Sequence, residues 1–209
     1  DFPPHPYSAT GRAELRDADP ILRCRGWPRG VHVNRRNEDE HLGYPPDGFL
    51  MHYGVNTGSF KDGAGTQAPH TFGATVWIPS VERSGGVLFD SPGAYADAAM
   101  AAYDSAPDYT QAGSTAAGIV FQEAFKELGA TPPLSQDDKD ELIGILESID
   151  VSTFYGDIAF ETSGDYYHNN VNTQTLLVQL GAEGAPSIVG PEESATTEAT
   201  YPAPAWADR

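Results

Sequence analysis

The spacing of apolar residues predicts helices in the middle of the chain. Tyr95, Ala99 and Tyr103 recur every four residues within an Ala-rich stretch, which is the spacing of one helix face. A second helical pattern ends at Gly129, a residue that commonly terminates helices. Ser135, followed by acidic residues, is a suitable N-cap for a third helix. We predict helices at 93–105, 111–128 and 135–149, and a helical turn at 57–64.

Short apolar runs on both sides of these helices predict strands. Residues 49–53 and 71–78 combine β-branched, aromatic and other apolar side chains between turn residues, as strands do. Residues 157–160 and 175–180 show the same pattern after the helices. Alternation of helices and strands favours the α/β class. We therefore predict an α/β fold with an open, mainly parallel sheet flanked by helices.

Composition divides the chain into three segments. Residues 1–48 are rich in Pro and Arg, and apart from a short helix predicted at 31–42 they show little periodicity. We expect them to be a poorly packed amino-terminal segment. Residues 49–180 carry the predicted helices and strands and are expected to form a lobe. Residues 181–209 are rich in Pro, Ala and Glu and are expected to be a surface tail or disordered.

Charge and cysteine content narrow the classes of partner. The formal net charge is −18, and such a field repels the phosphates of nucleic acids. The charge is uneven, because residues 1–36 hold seven Arg and only four acidic residues. Cys24 is the only cysteine, so these 209 residues cannot form an internal disulfide. We therefore expect no nucleic acid partner.

Several motifs occur in an order that is typical of one family. Pro107-Asp108-Tyr109 precedes a small-residue helix, and residues 150–160 read DVSTFYGDIAF. Residues 71–79 read TFGATVWIP, and the chain closes with YPAPAW at 201–206. Together these motifs resemble the solute-binding proteins of branched-chain amino acid, amide and urea ABC importers, which have the type 1 periplasmic binding fold. The resemblance covers about 49–209 and corresponds to the carboxy-terminal part of such a protein.

The resemblance implies a function in solute transport. Such a protein holds a small polar ligand, of the amino acid, amide or urea class, in a cleft between two lobes. This chain would supply one lobe, and a second lobe or partner chain would supply the other. The importer permease would be a further partner, and the location would be extracytoplasmic. The resemblance implies no cofactor and no catalysis.

Candidate ligand-binding residues lie near predicted element ends. His52 and Tyr53 follow a predicted strand, and ligands of open α/β sheets bind beyond the carboxyl ends of strands. The resemblance places a ligand contact near Tyr53, at a position that is often acidic when the ligand is an amino acid. Packing of the loop is the alternative for both residues. At Tyr53 a neutral side chain stands in place of that acidic residue, so this position favours an amino-acid ligand less than a carboxylate would.

Three further candidates have simpler structural explanations beside the functional one. Trp77 ends a predicted strand and could face the cleft, although core packing is the commoner fate of a tryptophan. Gln111 and Ser114 open a predicted helix, where free N–H groups can meet an anionic ligand. Ordinary helix capping would explain Ser114 equally well.

Patterns for other chemistries are weak. The acidic run at 137–141 lacks the glycine and the spaced oxygens of a calcium loop, and the histidines do not have zinc-ligand spacing. Ser163, Asp165 and His168 are close in sequence, but a catalytic triad is defined by geometry. We therefore predict no metal site and no enzyme activity. A non-catalytic scaffold that reuses a binding-protein lobe remains the alternative function.

Overall fold

The computed structural model describes residues 46–208. The helix predicted at 31–42, Cys24 and nearly all of the expected amino-terminal segment lie outside the described residues. Within them the chain alternates between strands and helices, and this confirms the α/β class.

Four strands form an open sheet. They are β1 (Phe49–Tyr53), β2 (Thr71–Thr75), β5 (Leu176–Leu180) and β6 (Pro186–Gly190), in the order β1-β2-β5-β6. Phe49 lies beside Thr71, and β1 and β2 run parallel. The short helix α1 (Gly58–Ala64) connects them, so this pair is a compact crossover unit. Gly73 is required in β2, because a Cβ there would lie 2.6 Å from the Val55 side chain.

The remaining elements are three helices and a hairpin. The helices are α2 (Pro92–Tyr103), α3 (Tyr109–Leu128) and α4 (Gln136–Ser148). They are followed by β3 (Asp150–Thr153) and β4 (Gly156–Ala159), which pair antiparallel with Val151 opposite Ile158. The three predicted helices are confirmed with shifts of one or two residues at their ends.

The sheet of the described residues is mixed rather than mainly parallel. Only β1 and β2 run parallel, while β2–β5 and β5–β6 are antiparallel. The chain leaves the sheet after β2, forms the helices and the hairpin, and returns in the opposite direction. A five-residue connection then joins β5 to β6, and such short connections are compatible only with antiparallel pairing.

Two strands were not predicted, and one was predicted too long. The expected tail contributes β6, where Ile188 and Gly190 are buried against β5. The strand β3 begins with an exposed polar Asp150 and alternates exposed with buried positions, so it lacks an apolar run. The strand predicted at 71–78 ends at Thr75. The Thr75 hydroxyl donates to the Trp77 carbonyl oxygen and accepts from the Trp77 backbone N–H, and these bonds turn the chain.

The buried side chains form separate cores for the sheet and for the helical segment. One cluster contains Met51, Val178 and nine other buried residues of β1, α1, β5, β6 and their connections. Trp77, Phe154 and Ile119 belong to a second cluster, which joins α2 and α3 to the hairpin. A third cluster continues it between α3 and the hairpin. We name residues 46–78 with 174–208 the sheet unit, and residues 79–173 the helical unit; Trp77 reaches from the first into the second.

Candidate functional site at the junction of the two units

Two tyrosines meet where the sheet unit and the helical unit come together. Tyr53 ends β1 in the sheet unit, and Tyr109 begins α3 in the helical unit. Their ring centroids are 5.7 Å apart, with a tilt of 40° between the ring planes. Both side chains are half-buried. The carboxyl end of a strand and the amino end of a helix thus form opposite sides of this junction.

Tyr155 extends the aromatic cluster on the helical side. It lies in the turn between β3 and β4, and a Cβ on Gly113 would be 3.3 Å from its hydroxyl oxygen. Burial raises the pKa of the Tyr155 hydroxyl, and the nearby Tyr53 and Tyr109 hydroxyls raise it further while Arg83 opposes them. The hydroxyl is therefore held in its neutral form, which can both donate and accept a hydrogen bond.

Arg83 stabilises the turn that carries Tyr155. Its guanidinium donates a hydrogen bond to the Tyr155 carbonyl oxygen. Burial lowers the pKa of Arg83, while the charge of Asp157 acts in the opposite direction. At Gly156, φ is +139° and a Cβ would be 3.4 Å from this guanidinium, so glycine is required there. Arg83 thus stabilises the backbone of the β3–β4 turn, which carries Tyr155.

His52 lies at the edge of the same cluster. It is exposed, and its ring contacts that of Tyr53 edge-on at 4.7 Å. The pairing of β1 with β2 shifts register between Met51 and Tyr53, so the usual alternation of strand side chains is interrupted where these two rings meet. The structure places both residues at the junction and gives Tyr53 the more enclosed position.

Gln111 and Ser114 have local structural roles in α3. Gln111 Oε1 accepts from the Asp108 backbone N–H at 2.7 Å, while Asp108 Oδ1 accepts from the N–H groups of Thr110 and Gln111. This reciprocal pair is a capping box. Ser114 Oγ donates to the Thr110 carbonyl at 2.9 Å. The helix start is therefore already neutralised by a carboxylate, which argues against the anion-binding role considered for it.

Trp77 is a core residue. It is fully buried, and its ring packs edge-on against Tyr95 and Phe154 at 5.8 and 6.2 Å. Its indole N–H has no hydrogen-bond partner among the described residues. Enclosure by these rings separates Trp77 from the junction surface, so the expectation that it faces the cleft is not met in this structure.

The structure adds residues that the sequence reasoning missed as ligand candidates. Tyr109 and Tyr155 both lie inside motifs that carry the family resemblance, Pro107-Asp108-Tyr109 and residues 150–160. Their place inside these motifs is the sequence signal that could have identified the two tyrosines as ligand candidates. Their proximity to Tyr53 depends on long-range packing, which the local pattern does not reveal.

The residues considered for other chemistry are arranged differently from a catalytic triad. His168 Nε2 is 2.9 Å from Glu147 Oε1, and the Tyr167 hydroxyl donates to the same oxygen. In residues 46–208 no three His, Cys, Asp or Glu side chains are grouped as metal ligands. No helix within that range is long and apolar enough to cross a membrane.

The fold is similar to that of solved ABC transporter solute-binding proteins, and the chain spans about half the length of each. It is similar to a putative branched-chain amino acid ABC transporter protein from Silicibacter pomeroyi, at 16% identity and a TM-score of 0.69, over 93% of this chain and 49% of that one. The substrate-binding protein LivJ from Streptococcus pneumoniae, solved with isoleucine, matches at 16% identity and a TM-score of 0.64, over 88% and 48%.

A third similar structure carries a different compound. It is a solute-binding protein from R. palustris in complex with benzoate, at 14% identity and a TM-score of 0.50, over 78% of this chain and 49% of that one. No family profile matches the chain. At these identities the likeness establishes the fold, and it confirms the resemblance to the type 1 periplasmic binding fold that the motifs indicate.

Proposed function

We propose that this chain is part of a solute-binding component of an ABC-type importer and holds a small polar ligand at the junction between its two units. The contact between Tyr53 and Tyr109 carries the proposal, because it joins side chains of separate units at a strand end and a helix start. In open α/β folds such positions are where ligands bind. The protein binds its ligand without changing it chemically.

The connections between the units support closure around a ligand. The chain crosses from the sheet unit to the helical unit after Ile78 and returns before Leu176. Each unit has its own buried cluster, so the units can rotate as bodies about these two crossings. The ligand is then held between walls contributed by both units of this chain.

The ligand class follows from the side chains and from the similar proteins together. The LivJ structure contains isoleucine and the R. palustris structure contains benzoate. For this chain we propose a compound of the amino acid, amide or urea class. The tyrosine hydroxyls act as neutral donors and acceptors, and the ring faces cover an apolar part of the ligand.

The location and the other partners follow from the same proposal. An importer component of this kind acts outside the cytoplasm and delivers its ligand to a membrane permease. The matched structures are about twice as long as the span that the chain covers. A second lobe or a partner chain would therefore complete the protein and enclose the ligand further.

Calorimetric titration of the purified chain tests the proposal. The ligands are a panel of amino acids, amides and urea, and we expect saturable binding with a Kd of about 1 mM or weaker. Weak binding is expected because a complete pocket buries some 70–90% of its ligand, and association costs at least about 4 kcal/mol. Replacement Tyr53→Ala should weaken binding, whereas Tyr103→Ala, at an exposed ring on α2, should not.

Two outcomes would change this assignment. Micromolar binding by the chain alone would show that its site is already complete. A folded chain that binds no compound of the panel would contradict solute binding. The alternative, a non-catalytic scaffold that reuses part of a binding protein, would then be favoured by the apolar surface of the helical unit.

A further inference from the structure

The contact surface of the junction consists of aromatic rings. Tyr53 and Tyr109 meet with ring centroids 5.7 Å apart, and His52 contacts Tyr53 edge-on at 4.7 Å. Tyr155 lies close to Tyr109, because a Cβ on Gly113 would be 3.3 Å from its hydroxyl oxygen. Gly113 follows Tyr109 by one helical turn on the same face of α3. Each tyrosine is half-buried, so part of each side chain is accessible to a ligand.

A surface built from tyrosine rings distinguishes between kinds of cation. The face of an aromatic ring carries partial negative charge and attracts a cation placed over it. A primary ammonium group is strongly hydrated, and ring faces do not replace the hydrogen bonds that it loses on leaving water. A quaternary ammonium group donates no hydrogen bond, and aromatic cages are the sites at which proteins recognise such groups. The three tyrosines therefore favour a methylated ammonium over a primary one.

The charges of the protein also favour a cationic group at the junction. Asp108 immediately precedes Tyr109, and its carboxylate caps α3. The whole chain has a formal net charge of −18, and such a field attracts cations and repels anions. Arg83 acts in the opposite sense, but it donates to the backbone carbonyl oxygen of Tyr155, and the charge of Asp157 offsets it in part. The balance of charge therefore agrees with the preference of the rings.

We propose that the rings of Tyr53, Tyr109 and Tyr155 recognise a quaternary ammonium group, so that the ligand is an N-trimethylated compound of the amino acid class. This inference rests on the proposed function, because it concerns the ligand of the same junction. It narrows the ligand to a compound whose positive charge is spread over methyl groups that contact the ring faces. The Tyr155 hydroxyl can donate to or accept from the polar remainder of the same compound.

Three small compounds separate the effect of charge from that of methylation. Glycine betaine carries a trimethylated ammonium and a carboxylate. Glycine has the same two charges without the methyl groups, and 3,3-dimethylbutanoate has the same shape with carbon in place of the charged nitrogen. Calorimetric titration of the full 209-residue chain measures a Kd for each compound. We expect glycine betaine to bind at least about fivefold more tightly than either control, because a cation over aromatic rings contributes an effect of this order.

Ring variants test whether the tyrosines carry this preference. The ratio of the two Kd values, for 3,3-dimethylbutanoate and for glycine betaine, should fall at least about threefold in Tyr155→Leu, which removes the ring face. It should fall less in Tyr155→Phe, which keeps the ring and loses only the hydroxyl. Tyr103→Leu, at a ring that is 80% exposed on α2, is the control and should leave the ratio unchanged. Urea denaturation checks that each variant is folded, and the pair Tyr53→Leu and Tyr53→Phe replaces the first pair if Tyr155→Leu does not fold.

The outcomes separate this inference from the proposed function. Equal binding of glycine betaine and 3,3-dimethylbutanoate, or tighter binding of glycine, would overturn recognition of a quaternary ammonium group and leave solute binding in place. Equal loss of the preference in the leucine and phenylalanine variants would overturn the role of the ring faces. No binding of glycine betaine by a chain that binds another compound of the calorimetric panel would overturn this inference alone. A folded chain that binds none of these compounds would contradict both proposals.

Discussion

The rings of Tyr53 and Tyr109 lie 5.7 Å apart and join two units that have separate cores. The first ring is placed by the end of β1, and the second by the first residue of α3. Fifty-five residues of sequence separate them, so the contact depends on how the units pack together. If the units rotate against each other as proposed, the distance between these two rings should change and would report that motion.

The first prediction concerns the capping residue that precedes Tyr109. Replacement Asp108→Ala removes the acceptor of the Thr110 and Gln111 N–H groups. We expect the free energy of unfolding to fall by about 1 kcal/mol, the usual effect of losing an N-cap. Urea denaturation measures this. The control Asp108→Asn keeps a good capping group and should retain most of the stability; equal losses for both variants would contradict the capping role.

The second prediction separates a core role of Trp77 from a ligand role. Because Trp77 is fully buried against Tyr95 and Phe154, Trp77→Ala should lower the free energy of unfolding by about 3–5 kcal/mol. Circular dichroism during urea denaturation provides the measurement, with the exposed-ring variant Tyr103→Ala as control. A Trp77→Ala chain of nearly wild-type stability that had lost only ligand binding would show that Trp77 acts in the site.

The third prediction concerns pH and the contact of Glu147 with Tyr167 and His168. Hydrogen bonds, first from the Tyr167 hydroxyl and then from His168, lower the pKa of Glu147. A carboxyl group with a lowered folded-state pKa stabilises the fold above its ordinary pKa. That contribution is lost as the pH falls through the lowered value. The contact should therefore persist at neutral pH and weaken below about pH 4.3, the ordinary value for Glu.

Amide hydrogen exchange at residues 161–172 measures this effect. Protection should decrease on acidification in the wild-type chain, and Glu147→Gln should reduce protection already at neutral pH and remove most of the acid dependence. Equal protection at pH 3 and pH 7, after correction for the intrinsic exchange rate, would show that the contact does not hold this segment.

The local elements of the fold were predictable from sequence. The capping residues Asp108 and Ser135 and the terminal Gly129 fix helix ends through neighbouring hydrogen bonds, and helical spacing is a short-range signal. The strand direction was not predictable in this way, because β5 returns to β2 only after about 100 residues. The edge strand β6 was missed since only Ile188 and Gly190 of its five residues are buried.

The site was predictable in part, for a related reason. Tyr53 was selected as a candidate because strand ends in open sheets mark ligand positions, and the structure places it beside Tyr109. Gln111 and Ser114 were correctly placed near the start of a helix, but their hydrogen bonds stay within the helix. Tyr155 reaches the cluster through the β3–β4 turn, which Arg83 supports from 72 residues away. Such a contact has no signature in the local sequence.

Residue-resolved NMR titration tests the central claim most directly, because it locates the ligand as well as detecting it. Amide and tyrosine ring resonances of the full chain are followed as the best ligand of the calorimetric panel is added. The account predicts saturable shifts at Tyr53, Tyr109 and Tyr155, with matching saturation curves, and loss of these shifts in Tyr53→Ala. Saturable shifts confined to the apolar groove around Phe121 and Ile143, with the three tyrosines unaffected, would contradict it.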